Sequence, residues 1–377
     1  MKKIIVDYKV PWRYPSAGIA AFFNPLIQGL CRRLVNVEIV LVSPGKQIGS
    51  YDFGANCHYR QLSRVSTLSL WGDLKYSFYD FPRYLSGTDA DLLISPYYDF
   101  MIPQRFAGRT VITIHDTCFF DLPFVYPRRT RCLQKFWFNH NLPRAAAVLT
   151  VSDFSRLRIK KHFSCLLQDK EPTVIYNSFV RPIDSKINPD NTETLRRRLN
   201  IPFGKRLFLY TGGFDVRKNV PKLFAGFKKV LDHTKAALIV TGTRKDNPEL
   251  ISLIRQFALE EDVILTGFLS EEEMESLYRT IADCAVSVSL YEGFGRSAVE
   301  AMMHGLPFVS SPLEVVRELV GDYPVYCDPL DVSDIYEKMM LAFSLPRKDY
   351  VSILDERFSV NRNIDAFCAV IEGCLSV

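Results

Sequence analysis

The sequence predicts an α/β protein of two domains, each an open parallel sheet with helices on both faces. Three observations carry that expectation. The chain has 377 residues, long for one hydrophobic core and sufficient for two. Short apolar runs alternate with stretches of helical periodicity, the pattern of a doubly wound parallel sheet. The alternation halts once, in a turn-rich stretch from Arg181 to Gly204, and then resumes. Apolar residues make up 47% of the chain and charged residues 24%, a composition that folds around cores rather than staying disordered.

In the first half, Ile4 to Asp7 reads as a strand. Ile19, Phe22, Phe23, Leu26, Ile27 and Leu30 then recur at helical spacing, with Pro25 expected to kink their helix. Val37 to Val42, Asp91 to Ser95, Val111 to Ile114 and Ala147 to Val151 read as buried strands. Ser152 is placed to cap the helix that follows. Thr173 to Tyr176 is one more short strand. Pro182, Asp184, Asn188 to Asn191 and Pro202 mark the connection, which holds a short helix at Glu193 to Leu199.

The second half repeats the alternation. Leu207 to Thr211 is a strand, and a helix from Val220 to Leu231 is entered at Asn219. Ala237 to Thr241 and Val263 to Thr266 are strands around a helix at Leu250 to Leu259. Ser270 and Glu273 form a capping box for a helix through Tyr278. Ala285 to Leu290, the helix after Ser297, and Phe308 to Ser310 make a βαβ unit, its helix ended by Gly305 and Pro307. Asn363 to Leu375 is a last helix. The domains expected are 1–180, a linker 181–204, 205–360, and a terminal helix 361–377 crossing back to the first domain.

One stretch carries the most chemistry: Ser289 to Met302, reading Ser-Leu-Tyr-Glu-Gly-Phe-Gly-Arg-Ser-Ala-Val-Glu-Ala-Met. A strand feeds a glycine-bearing loop that opens a helix. Helix-start amides are unpaired and partly positive, and glycines let backbone approach a ligand closely, which suits a phosphate or a polyol. Glu292 and Glu300 could accept hydrogen bonds from sugar hydroxyls. Ser297-x-x-Glu300 is equally a capping box, but no capping rule asks for Glu292. Arg217-Lys218-Asn219 sits between a glycine turn and a helix start, where two cations beside open amides suit a diphosphate.

Glu292-Gly293-Phe294-Gly295, with Glu300 eight positions after Glu292 and Ala301-Met302 following, resembles the retaining glycosyltransferases of family 4. Gly212-Gly213-Phe214-Asp215-Val216-Arg217-Lys218-Asn219 is similar to that family's Gly-x-x-Asp-x-Arg-Lys-Asn segment. Val151 to Arg156 is similar to its Val-Ser-x-Phe-Ser run, Ile114-His115-Asp116 to its His-Asp pair, and Pro15 to Ile19 to its first glycine loop. The resemblance runs over most of the chain and implies the GT-B fold, two Rossmann-like domains facing a cleft. The first would bind the acceptor and the second the nucleotide-sugar.

It further implies that Lys218 holds the donor phosphates and neutralises the leaving diphosphate, and that Glu300 binds the ribose. Glu292 would bind the donor hexose, with Gly293, Phe294 and Gly295 in the same loop. His115 would contact the donor sugar near the reaction centre, and Gly18 would let the first loop approach the diphosphate. The pattern is broken at Gly213, where many members carry a phosphate-binding Arg, and at Arg296-Ser297, where Leu-Pro is common. Either Arg217 or Arg296 substitutes for the missing Arg, or phosphate binding relies more on Lys218 and the loop amides.

Nine cysteines lack Cys-x-x-Cys spacing, so no metal framework or disulfide scaffold is expected and a reducing compartment fits. Asp89-Ala90-Asp91 mimics a metal motif of another glycosyltransferase fold but precedes a strand instead of following one. No essential metal or other cofactor is expected. The apolar run after Lys3 is short for a signal peptide, and no run of about 18 apolar residues spans a membrane.

Charge is uneven. Residues 1–180 carry 23 Lys/Arg against 13 Asp/Glu, and residues 181–377 carry 24 against 29. The basic surplus around Arg128, Arg129, Arg131 and Lys135 interleaves with Phe124, Phe136 and Trp137. That mixture fits either contact with an anionic membrane or a solvated face over a buried aromatic stripe. No nucleic-acid motif occurs, so nucleic acid is not an expected partner.

The expected function is transfer of a hexose, with mannose from GDP-mannose the leading donor, from a nucleoside diphosphate sugar to a glycan or lipid-linked glycan acceptor in surface glycan assembly. The expected place is the cytoplasm, peripherally on the inner membrane face. The alternatives are a non-catalytic nucleotide-sugar-binding subunit and a nucleotide-sugar epimerase of the same fold.

Overall fold

The computed structural model describes residues 1–13, 18–46, 52–65, 69–179, 189–348 and 357–376. Pro15 to Ala17 of the first glycine loop, and Pro182, Asp184 and Asn188 of the expected connection, lie outside them. The chain divides into two compact units, Met1–Phe179 with Glu356–Val377, and Val180–Asp355.

The first unit is a seven-stranded parallel sheet. Its strands are β1 (Lys3–Asp7), β2 (Glu38–Gly45), β3 (Cys57–Val65), β4 (Leu92–Ser95), β5 (Arg109–Ile114), β6 (Ala147–Thr150) and β7 (Thr173–Val174), in the order β3-β2-β1-β4-β5-β6-β7. Ile4, Ile5, Val6, Leu92, Leu93 and Ile94 are fully buried, as central strands covered on both faces must be. Between them run α1 (Lys9–Arg13), α2 (Gly18–Arg33), α3 (Leu70–Lys75), α4 (Phe81–Ser86), α5 (Cys118–Asp121), α6 (Arg128–Asn141) and α7 (Asp153–Leu167). Ser152 caps α7 by accepting from the Ser155 amide. α2 runs on through Pro25 as one helix.

The second unit is a six-stranded parallel sheet of β8 (Arg206–Thr211), β9 (Ala236–Thr241), β10 (Val263–Gly267), β11 (Cys284–Ser287), β12 (Phe308–Ser310) and β13 (Val325–Tyr326), ordered β10-β9-β8-β11-β12-β13. Its helices are α8 (Pro189–Arg198), α9 (Val220–Leu231), α10 (Pro248–Gln256), α11 (Glu271–Ser276), α12 (Arg296–Met303), α13 (Glu314–Val320) and α14 (Val332–Ala342). The Ser270–Glu273 capping box is formed on both sides.

The last helix, α15 (Val360–Ser376), belongs to the first unit and packs on α2. Gly29 makes room for Ile364, since a Cβ there would sit 2.4 Å from its side chain. Phe23 meets Phe367 edge to face, and Arg33 pairs with Asp365 and Glu372 at 2.9 and 2.8 Å.

Several sequence expectations need correction. The run Ala285 to Leu290 stays in the sheet only to Ser287. Beyond it the backbone bonds elsewhere: the Leu290 amide donates to the Arg217 carbonyl at 2.7 Å, and Asn219 Nδ2 donates to the Val288 carbonyl at 3.2 Å. The helix expected at Glu193 to Leu199 spans Pro189–Arg198, and the strand Thr173 to Tyr176 ends at Val174. The edge strand β3 and the helices α3, α4 and α6 were not expected. In the Asp89-Ala90-Asp91 run, Asp91 accepts the Lys3 amide at 2.7 Å, a structural use. Among the described residues no helix is long and apolar enough to cross a membrane.

Candidate functional site

Both sheets reverse their strand order next to the first strand of the unit, and α/β proteins bind ligands beyond the carboxyl ends of strands at such points. In the second unit the reversal lies between β8 and β11. The segment after β8 and the loop after β11 meet there.

Val216–Lys218 forms one turn of 3-10 helix, started by Asp215, whose side chain accepts the Arg217 amide at 3.0 Å. Asn219 ends it at φ +56°, and its side chain also donates to the Pro329 carbonyl at 2.7 Å. The turn thereby aims two cations at one carboxylate. Lys218 Nζ lies 2.6 Å from Glu292 Oε1 and Arg217 Nη1 lies 3.0 Å from Oε2. Ser289 Oγ donates to Oε1 at 2.8 Å, and Arg217 also holds the Tyr291 carbonyl at 3.0 Å. Burial pushes the Glu292 carboxyl up. Lys218 first, then Arg217, with hydrogen bonds from Lys218 and Ser289, outweigh it and hold the group at about 2 against an ordinary 4.5.

A carboxylate has about four acceptor positions. Lys218 and Ser289 fill both on Oε1, and Arg217 takes one on Oε2, so one remains on Oε2 for a ligand hydroxyl.

Gly295 starts α12 at φ +93°, a conformation that favours glycine. No side chain caps that end. This corrects the capping-box reading: the helix begins at Arg296, Ser297 already lies inside its first turn, and Glu300 points elsewhere. Glu300 Oε2 accepts from the Tyr278 hydroxyl at 2.9 Å and Oε1 from Arg296 Nη2 at 3.1 Å. The Tyr278 proton being so used, Thr211 Oγ1 donates to the Tyr278 oxygen at 3.0 Å. Each Glu300 oxygen keeps one open acceptor position, a geometry that fits two neighbouring hydroxyls. Gly293 and Phe294 are buried between the two glutamates along the loop.

In the first unit, His115 follows β5 and is partly buried. Its Nε2 lies 2.9 Å from the Pro96 carbonyl. A carbonyl only accepts, so Nε2 carries the proton and Nδ1 presents a lone pair. Burial lowers the His115 pKa, which keeps the ring neutral. Ser155 Oγ donates to the His115 carbonyl at 3.0 Å, so the Val151 to Arg156 run fixes the His115 loop. Gly18 is the exposed first residue of α2.

The structure brings Arg217, Lys218 and Glu292 into one cluster, and Arg296 and Glu300 into a second on the same loop and helix. Arg296 is engaged with Glu300, whereas Arg217 shares its carboxylate with Lys218. Sequence reasoning missed Tyr278, Thr211 and the role of Ser289, because their hydrogen bonds appear only when the strand ends come together.

Gly213 is informative in another way. A Cβ there meets nothing within 4 Å, and its φ is outside the left-handed region. At Gly212 a Cβ would lie 3.0 Å from the Tyr210 hydroxyl. Gly213→Arg is therefore expected to melt within about 2 °C of the parent, since surface changes of this kind stay within about 0.5 kcal/mol, and to tighten nucleoside diphosphate binding in calorimetry. Weaker binding with an unchanged melt would show that no phosphate passes Gly213.

Residues 191–359 match the family described as glycosyl transferases group 1. O-antigen chain mannosyltransferase B of Escherichia coli is 29% identical over 242 residues, which cover 63% of this chain and 61% of that protein, less than two thirds of its length. An uncharacterized glycosyltransferase of Methanocaldococcus jannaschii is 25% identical over 338 residues, 84% of each chain. Among solved structures, the Anabaena protein HepE in complex with UDP and glucose superposes with a TM-score of 0.72 at 16% identity, covering 99% of this chain and 100% of that one. At that identity the likeness is one of fold. The chain has the GT-B fold, and its residues 191–359 are similar to the glycosyl transferases group 1 domain.

Proposed function

We propose that this protein is a retaining glycosyltransferase of the family 4 type. It moves a hexose, with mannose from GDP-mannose the leading donor, from a nucleoside diphosphate sugar to a lipid-linked or oligosaccharide acceptor in surface glycan assembly. The observation that carries the reading is the pair of carboxylates on one loop and helix, Glu292 holding two cations and Glu300 held by Tyr278 and Arg296. The mannosyltransferase likeness supports the choice of sugar.

In this reading Lys218 and Arg217 turn from Glu292 to the donor diphosphate. Arg217 supplies the charge that Gly213 lacks. As the glycosidic bond breaks, negative charge grows on the leaving phosphate, and fixed cations stabilise the transition state more than the ground state. Glu300 takes the two ribose hydroxyls on its open acceptor positions. Glu292 Oε2 takes one hexose hydroxyl. The acceptor attacks the face the phosphate leaves, and the departing phosphate takes its proton, so no side chain is the nucleophile.

The test is transfer from GDP-mannose and UDP-glucose to a polyprenyl-diphosphate-linked glycan, with product anomers read by proton NMR. Retained α configuration and turnover unchanged by EDTA are the expected results. An inverted product, or loss of turnover on chelation, would overturn the corresponding part of the proposal.

A further inference from the structure

In the first unit, α3 buries none of its residues, and Leu70 and Trp71 are 73% and 80% exposed. Apolar packing does not hold this helix in place; a polar tether does. Asp73 pairs with Arg13 at 2.9 Å and with Lys9 at 3.1 Å. Lys9 is 2% exposed, lies just after β1, and also pairs with Asp99 at 2.6 Å and donates to Ser77 Oγ at 2.9 Å. Burying an ammonium group is costly unless its geometry is good. Here that arrangement fixes a helix whose large apolar side chains face solvent.

The exposed face continues. The turn Tyr76–Asp80 follows α3 directly, and Phe78 and Tyr79 on it are 42% and 54% exposed. The Phe78 ring lies 5.8 Å from Phe136 and 4.6 Å from Trp137, which joins this face to α6. On α6, Phe136 is 41% exposed, and Arg128, Arg129 and Lys135 are exposed. These three cations make no ion pair among the described residues. Single exposed apolar residues are ordinary, but a joined set is the mark of an interaction surface.

We infer that the face formed by α3, the Phe78 turn and α6 docks on an anionic lipid bilayer. Aromatic side chains settle among head groups while neighbouring arginines and lysines meet anionic charge. A second copy would set like charges against like, and the core of a protein interface is depleted of charge. The inference deepens the lipid-linked acceptor reading and rests on it for its purpose, but the binding itself is measured without transfer.

The test is flotation of the full chain with vesicles of phosphatidylcholine alone or mixed with phosphatidylglycerol. The parent is expected to float with the anionic vesicles only. Leu70→Ser/Trp71→Ser and Arg128→Gln/Arg129→Gln are each expected to lose binding, the latter by about 30-fold from its two missing cations, while melting as the parent does. GDP and UDP binding stays as in the parent, since the variants leave the second unit untouched. Equal flotation with both vesicle types, none with either, unchanged flotation in both folded variants, or self-association through this face would overturn the inference. Flotation without transfer would count against the proposed function and leave the docking standing.

Discussion

Lys218→Ala is expected to lower the rate of transfer about 10²- to 10³-fold, the loss typical when one donor of transition-state charge stabilisation is removed. The effect should fall on kcat more than on KM, because in the proposed mechanism the charge that Lys218 meets develops as the bond to the leaving phosphate breaks. Arg217 still pairs with Glu292 at 3.0 Å, so the variant should fold. Lys218→Arg keeps the charge but changes its shape, and a partial return of activity would show that charge is what the site uses. A drop in donor affinity with kcat intact would instead make Lys218 a binding group alone. These are steady-state measurements with a saturating acceptor and varied donor.

The second large effect is expected at Glu292. Glu292→Gln leaves Lys218 and Arg217, 16% and 23% exposed, without their shared carboxylate. Breaking a buried pair costs about 3–5 kcal/mol; both cations keep some access to water, so about 2–3 kcal/mol is the expected loss here. The pH dependence adds a sign. The folded Glu292 pKa is depressed to about 2 from 4.5, so its contribution is present above 4.5 and is lost as pH falls through that window toward 2. The parent should lose melting temperature across that window more steeply than Glu292→Gln does. Parallel curves would mean that the cluster does not hold the carboxylate ionised. Transfer should also fall, since the one acceptor position left on Oε2 is gone.

The residues that cluster in the candidate site were legible because their signals are local. Glu292, Gly295, Arg217 and Lys218 sit where strand, loop and helix signals change over, and the structure sets the cations on Glu292 directly. The two capping-box readings show where local reasoning divides. Ser270 and Glu273 form theirs. Ser297 and Glu300 do not, because Gly295 at φ +93° starts the helix early and places Ser297 inside it. What decides between the cases is a backbone angle that the spacing does not display.

Long-range bonds were not legible either. The apolar run after Ala285 looks like a strand to Leu290, yet its last amide serves Arg217 rather than the sheet. Thr211 reaches Tyr278, which in turn holds Glu300, only once β8 stands beside β11. The strand β3 escaped notice because it borders a single neighbour, β2, and its polar residues obscure the period. α3 was hidden for the opposite reason: its apolar residues do not face a core, so no helical stripe marks it.

The most direct test of the account is calorimetric titration of GDP, UDP and dTDP into the parent chain and into Glu300→Ala. The account predicts that one nucleoside diphosphate binds the parent and that the variant loses that binding by at least tenfold, the effect of removing a hydrogen bond to a charged group. Equal binding by parent and variant, or no binding of any nucleotide to the parent, would contradict a donor site built on Glu292 and Glu300.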